Sequence, residues 1–326
     1  MTATLAPAPA TGREDAGGLL LEVAEIHDVA PGIRGLVLRR PDGGLLPAHP
    51  PGSHVVLDCG GRRNAYSLTG DGSPSETYRV SVLLCPDGDG GSAFVHALRP
   101  GDPVTATGPR SAFAPVSTAR HHVLVAGGIG ITPMLSHARA AVRWGRSFEL
   151  LYGHRPGAGA HLPELRDLCG ARLSAYESTS EMLDRVRAVL TDSPIGTHVY
   201  VCGPAPLIAF VEETAAALGW PDARVHAERF SAADLDPGLP FTARLTRSGT
   251  RIAVPAGTSL LAALAEAGIA VPSTCRQGVC GECRVPVTAG RPLHRDLYLS
   301  ESERAAEDAV MCCVSRSLDD ELELDL

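Results

Sequence analysis

No stretch of the 326-residue chain approaches the roughly 18 uninterrupted apolar residues of a membrane span, so no spanning helix is expected. The opening MTATLAPAPATGREDAGG has neither the basic nor the apolar part of a secretory signal, and a cytoplasmic protein is expected. Lysine is absent altogether. All 29 basic residues are arginine, which reads as codon bias and bears on no function. There is also no basic stripe of the kind phosphate binding needs: formal charge is −8, and residues 296–326 hold ten acids against only Arg304 and Arg316. Nucleic acid is therefore not an expected partner. A basic protein partner is compatible with this acidic end, and so is a solvated face that only keeps the chain soluble. No internal repeat is visible.

At 326 residues, with 44% hydrophobic and 20% charged residues, the chain can bury cores and should form two or three compact units. The patterning favours three. Residues 1–18 are small, polar and rich in Ala, Pro and Gly, and read as a flexible tail. Across 19–116 short apolar runs alternate with Gly/Pro turns (LLLEVAEI, RGLVLRR, GSHVVLDC, AYSL, TYRVSVLL, DPVTATG), which predicts an antiparallel barrel or sandwich, interrupted by one short helix at 91–98. Across 117–230 apolar runs (HHVLVAGG, FELLYGH, THVYVCG, ARVHAERF) alternate with helical stretches and predict a parallel α/β sheet. Residues 231–240 read as a linker. The remainder, 241–326, opens with a hairpin (FTARLTRSGTRIAVP) and a helix at 259–267.

Nine cysteines are present, an odd number in a chain that reads as intracellular, which favours a metal or catalytic cluster over a disulfide framework. Cys275, Cys280 and Cys283 have the spacing C-x4-C-x2-C, and Cys312 and Cys313 follow, the pattern by which plant-type ferredoxins hold a [2Fe–2S] cluster. Three thiolates on one short loop can close around two irons only if the backbone turns tightly, and Gly278 and Gly281 have no Cβ to obstruct it. Loop amides aimed at the sulfurs would stabilise the added negative charge of the reduced cluster. The fourth ligand is Cys312 or Cys313, neighbours expected on opposite faces of a strand, so that only one reaches. A structural zinc site would need a second C-x2-C knuckle, which is missing. The other cysteines read as small buried apolar residues.

Further segments stand in a telling order: R-N-A-Y-S-L at 63–68, G-G-S at 90–92, V-L-V-A-G-G-I-G-I-T-P at 123–133, Y-V-C-G-P at 200–204, H-A-E-R-F at 226–230, H-R-D-L-Y-L at 294–299 and the closing ELELDL. The glycines at 127–130 do not fit G-x-G-x-x-G, so this is not a dinucleotide fingerprint of the Rossmann kind. Together with the cysteine loop these segments resemble the phthalate dioxygenase reductase family, and the resemblance covers everything after the tail. It implies a multidomain protein: an antiparallel β-barrel flavin domain (19–116), an α/β parallel-sheet nicotinamide domain (117–230), and an α+β, β-grasp ferredoxin domain (241–326).

The resemblance also implies roles. Tyr66 stacks on the flavin ring, Ser67 bonds its hydride-accepting edge, and Arg63, with Asn64 and Ala65, lies toward the phosphate; an aromatic face, a small hydroxyl and a guanidinium suit those three needs. The family motif is R-x-Y-S, whereas here the arginine stands three residues before the tyrosine and Asn64 takes its place. Gly90, Gly91 and Ser92, opening a helix, offer free amides to the phosphate. Gly127, Gly128, Gly130, Thr132 and Pro133 form the family's first nicotinamide segment, with the proline in the first helical turn. Cys202, Gly203 and Pro204 form the second, Cys202 being a small residue that shapes the nicotinamide slot. Glu228 and Phe230 match the family's terminal acid and aromatic near the flavin. Cys313 falls at the family's ligand position, leaving Cys312 to packing. FMN is implied, because the group lacks an adenine-binding extension. The acids of E-S-T-S-E at 177–181 favour NADH over NADPH, since they would repel a 2′-phosphate.

A nicotinamide gives two electrons as a hydride and the cluster takes one, so a flavin between them lets a terminal oxygenase be supplied with single electrons. A Rieske-type oxygenase is the expected partner. The alternatives are a haem-thiolate monooxygenase as acceptor, a non-catalytic iron–sulfur redox sensor, and a structural zinc protein.

Overall fold

A computed structural model describes residues 18–86, 88, 90–111, 113–230, 236–273, 276, 278, 281–296, 298–299 and 301–326, with only the backbone of Glu301 and Ser302. The tail at 1–17, residues 231–235 of the linker, and the ligand candidates Cys275 and Cys280 lie outside the described residues.

The first sheet contains β1 (Leu19–Ala30), β2 (Ile33–Arg39), β3 (His54–Asp58), β4 (Arg63–Ser67), β5 (Thr77–Leu83) and β6 (Pro103–Ala106), with α1 (Gly91–Ala97) between the last two. The strand order is β4-β3-β6-β1-β2-β5, every pairing antiparallel. Alternate residues such as Leu21, Leu36, Leu57 and Val80 share one core. The expected barrel is not found as a closed, continuous ladder among the described residues. The edge strands β4 and β5 meet at a single bridge, Leu68 with Val80. Strand patterning specifies which face is buried; it does not specify whether the last pair of edges zips together.

The second sheet follows with β7 (His121–Gly127), α2 (Ile131–Arg143), β8 (Phe148–Gly153), α3 (Leu162–Cys169), β9 (Leu173–Tyr176), α4 (Thr179–Asp192), β10 (Thr197–Cys202), α5 (Ala205–Ala217) and β11 (Val225–Glu228). All its pairings are parallel, in the order β11-β10-β7-β8-β9. Both faces are covered, which is why the strands are apolar throughout. Leu124, Leu150 and Tyr200 pack with Met134, Leu135 and Leu165 on one side, while Val123, Val125, Val199 and Val201 pack with Val186, Leu190 and Ile208 on the other. A fully buried side chain of this size contributes roughly 1.5–3 kcal/mol.

Polar contacts tie the two sheets together. Arg139 on α2 donates to the Thr69 carbonyl (2.6 Å), Arg143 pairs with Asp71 (2.9 Å), and His161 shares a 2.9 Å hydrogen bond with Ser81 on β5. The connecting segment is clamped as well: the Val116 amide donates to the Tyr200 hydroxyl (2.8 Å) and His137 Nε2 donates to the Phe113 carbonyl (2.9 Å).

The third unit contains β12 (Phe241–Leu245), β13 (Arg251–Val254), α6 (Leu260–Glu266), β14 (Arg284–Ala289), β15 (Pro292–Leu293), α7 (Glu301–Ala306), β16 (Ala309–Met311), β17 (Arg316–Ser317) and β18 (Glu321–Leu324). Its mixed sheet runs β13-β12-β18-β14-β16, and α6 packs on it through Leu260 and Leu264. The acids of the C-terminal run are not a bare face. Glu321, Glu323 and Asp325, on and just after the central strand β18, pair with Arg251, Arg244 and Arg247, and Asp319 pairs with Arg291.

Candidate functional site

In the parallel sheet the chain builds outward from β7 to β9, then returns to the other side of β7 with β10. The carboxyl ends of β7 and β10 therefore form the topological switch point, where open α/β sheets bind ligands. Both nicotinamide segments lie there. β7 ends at Gly127, a 3-10 turn covers Gly128–Gly130, and α2 begins with Ile131, Thr132 and Pro133. β10 ends at Cys202, with Gly203 and Pro204 leading into α5. A Cβ at Gly130 would lie 2.2 Å from the Cys202 carbonyl oxygen, and one at Gly127 2.7 Å from Pro204. The two segments are thus packed backbone against backbone, at a distance only glycine permits. The Thr132 hydroxyl donates to the Ile129 carbonyl (3.0 Å) and closes the turn.

Cys202 is fully buried, and burial first, then the Glu228 carboxyl, pushes its thiol well above its usual range. It stays neutral, which suits a small shaping residue and not a nucleophile. Glu228, its neighbour on β11, is 3% exposed; burial raises it to about 8, and its Oε2 has no hydrogen-bond partner among the described residues. Such a buried carboxyl is satisfied if a ligand brings a polar group to it, so these residues fit a nicotinamide or flavin edge. Phe230 follows two residues later, 42% exposed and in none of the core clusters, so it is no ordinary core aromatic.

On β4, Asn64, Tyr66 and Ser67 register with Leu57, Val55 and His54, so Asn64 and Tyr66 share one face while Arg63, Ala65 and Ser67 take the other. A Cβ at Gly91 would come 2.2 Å from Asn64 Oδ1, and at Gly90 (φ 94°) the nearest atom is the Arg62 guanidinium. Ser92 Oγ accepts from the Cys85 amide (3.0 Å) and pins this turn. The structure therefore brings Arg62, Asn64, Gly90 and Gly91 together, a cationic and amide-lined cradle that fits a phosphate. It does not bring Arg63 there: Arg63 is ion-paired with Glu282. Arg62 was missed by sequence reasoning. Arg62 stands just before β4, and its place beside Gly90 comes from a contact between distant residues that no local pattern signals.

Cys283 and Cys313 are both buried in the third unit. Cys312 and Cys313 do not lie on a strand as expected: β16 ends at Met311 and the cysteines form the following turn. That turn is tied to the cysteine loop, the Cys312 amide donating to the Cys283 carbonyl (3.1 Å) while its own carbonyl accepts from Leu261 (2.8 Å). Gly278 and Gly281 have φ of 73° and 81°, and a Cβ at Gly281 would lie 2.3 Å from the Tyr298 ring. The buried Asp296 carboxylate accepts from the amides of Tyr298 (3.1 Å) and Leu299 (2.8 Å) and from the Ser315 hydroxyl (3.1 Å), which ties Tyr298 and Leu299 to Ser315. Two buried thiols beside a loop that only glycine can turn fit an iron–sulfur cluster.

These features fit an electron-transfer oxidoreductase. Two family models match the chain: a 2Fe-2S iron-sulfur cluster binding domain over residues 243–317, and the N-terminal domain of dimethylamine monooxygenase subunit DmmA-like proteins over residues 103–225. The chain is 42% identical, over 94% of its length and 98% of the relative's, to the heme-dependent oxidative N-demethylase beta subunit of Ectopseudomonas mendocina (strain ymp). To the phthalate dioxygenase reductase of Burkholderia cepacia it is 36% identical over 97% of this chain and 99% of that one. A solved phthalate dioxygenase reductase superposes with a TM-score of 0.68 at 36% identity, covering 95% of this chain and 98% of the other. An intact type IV self-sufficient cytochrome P450 monooxygenase superposes with a TM-score of 0.77 at 34% identity, covering 95% of this chain, which spans 41% of that protein. The chain belongs to the phthalate dioxygenase reductase family. Among the described residues, no helix is long and apolar enough to cross a membrane.

Proposed function

We propose that the protein oxidises NADH and delivers electrons singly, through FMN and a [2Fe–2S] cluster, to a separate terminal oxygenase. The bound flavin would accept a hydride and the cluster would accept one electron at a time, which is the chemistry these groups supply. The chain's own residues bind, orient and exclude water. Tyr66 offers an aromatic face, Ser67 a small hydroxyl, and Arg62 and Asn64 with Gly90, Gly91 and Ser92 receive the phosphate. Gly127, Gly128, Gly130, Thr132, Pro133, Cys202, Gly203 and Pro204 shape a slot for the nicotinamide. Glu228, largely protonated at neutral pH, can donate a hydrogen bond into that slot, and Phe230 can cover it. Cys275, Cys280, Cys283 and Cys313 are the proposed cluster ligands. The observation that carries the reading is the glycine-only packing of the two nicotinamide segments at the switch point beside Glu228, whose Oε2 has no hydrogen-bond partner among the described residues.

NADH is favoured because Glu177 and Glu181 stand exposed at the carboxyl end of β9 and the start of α4, where a 2′-phosphate would meet them. The resemblance favours a Rieske-type acceptor. A haem acceptor is the second reading, supported by the likeness to the heme-dependent N-demethylase subunit and to the cytochrome P450 fusion. Anaerobic titration of the purified holoprotein with NADH and NADPH tests the coenzyme. NADH should bleach the visible chromophores at least about tenfold faster, a difference of about 1.4 kcal/mol in the barrier. Equal rates would overturn the NADH assignment.

A further inference from the structure

Arg63 opens β4, the strand that carries Tyr66 and Ser67, and its guanidinium meets the carboxylate of Glu282 in the third unit. Glu282 stands between Cys280 and Cys283, inside the cysteine loop itself. A second contact reinforces the first. The Arg110 guanidinium stacks 4.2 Å from the centre of the Tyr298 ring, and that ring lies against Gly281, the residue before Glu282. Arg110 in turn is bridged through its backbone to His54, the register partner of Ser67. One grip therefore reaches Glu282 of the cysteine loop from β4, the strand of Ser67, and the other runs from the segment bridged to β3 onto Tyr298, whose ring packs against Gly281 of that loop.

We propose that Arg63 is a positioning residue for electron transfer: with Arg110 it latches the Gly281–Glu282 stretch of the cluster loop against β4, and so sets the approach of cluster to flavin. The proposal rests on the function proposed above. It adds that the third unit is held at the flavin strand by two specific contacts, and that the arginine nearest the aromatic motif serves the cluster loop instead of the phosphate. Each electron that passes oxidises the reduced flavin by one and reduces the cluster by one, so no further reactant is needed. Arg63 and Glu282 are 39% and 35% exposed at their side chains, so the latch is weakened by salt and can open.

Charge reversal in the holoprotein tests this, with stopped-flow absorbance, bound flavin and iron content, and flavin affinity by fluorescence titration as readouts. Arg63→Glu and Glu282→Arg should each slow cluster reduction by about tenfold, because like charges then face each other. Flavin affinity should stay within about twofold of the parent in both, an order-of-magnitude bound for a residue that does not touch the phosphate. The double exchange R63E/E282R should restore the rate to within about threefold, the scatter expected when an exposed pair is rebuilt in reverse. Loss of flavin affinity in R63E with E282R unaffected would overturn the proposal, since Arg63 would then be a phosphate ligand. Unchanged rates in both single variants, or slow singles that the double exchange does not rescue, would overturn it equally. If the parent itself shows no bleaching with NADH, the proposed function fails; if the parent bleaches and the variants match it, only the latch fails.

Discussion

Cys202 and Glu228 are register partners at the carboxyl ends of two adjacent parallel strands, a buried thiol beside a buried carboxyl. Neither is comfortable as an anion there. Glu228 is raised from its usual 4.5 to about 8 by burial. Between those values the unfolded chain ionises this carboxyl while the folded chain keeps the proton, so its contribution to stability is lost as pH rises. Glu228→Gln should therefore melt higher than the parent at pH 8, by several degrees, with the gap closing below about pH 4.5. Differential scanning calorimetry across that range checks it; a gap that widens toward acid would mean the carboxyl is ionised in the folded state.

The opposite slope is expected from His137. It is buried against Phe113 and Tyr200, near His122 and His226, and burial lowers it from 6.5 to about 3. The unfolded chain takes up a proton below pH 6.5 that the folded chain refuses, so stability falls steadily with acid. His137→Gln keeps a donor for the Phe113 carbonyl and should flatten this loss. The slope of melting temperature against pH between 6.5 and 4 is the measurement, and an unchanged slope would assign the acid lability to the neighbouring histidines.

Cys312 and Cys313 are both buried in the third unit's core, and Cys313 is the proposed cluster ligand. Cys313→Ser should abolish the iron–sulfur absorbance. Cys312→Ser should retain it at a stability cost of about 1–3 kcal/mol, since it places a hydroxyl in an apolar core. Visible spectra and iron content of the two variants decide between them; a cluster that survives only in C313S would exchange the assignment.

Gly130→Ala brings a Cβ to 2.2 Å from the Cys202 carbonyl oxygen, so the turn must move away from β10. NADH affinity should fall by about tenfold or more while the flavin stays bound, a loss of about 1.4 kcal/mol in binding. Isothermal titration with a nicotinamide nucleotide checks it, and unaltered affinity would place the coenzyme elsewhere.

Much of this molecule was legible in its sequence because periodicity and glycine spacing are local. The strand runs LLLEVAEI, RGLVLRR and TYRVSVLL became β1, β2 and β5, and the G-G-x-G turn sits at the start of α2. What was not legible depends on contacts between distant residues. The single bridge between the last two edges of the first sheet, the turn that carries Cys312 and Cys313, and the arginine partners of the acidic C-terminal strand all arise from tertiary pairing. Arg63 is the clearest case: proximity to Tyr66 along the chain suggested the phosphate, but the side chain leaves the other face of β4, toward Glu282.

The proposed electron path runs within one chain, from nicotinamide to an iron–sulfur cluster. Anaerobic visible spectra of the purified holoprotein, taken before and after NADH, follow it from end to end. Flavin and iron–sulfur absorbance should both bleach; absorbance that NADH leaves unchanged would rule that path out.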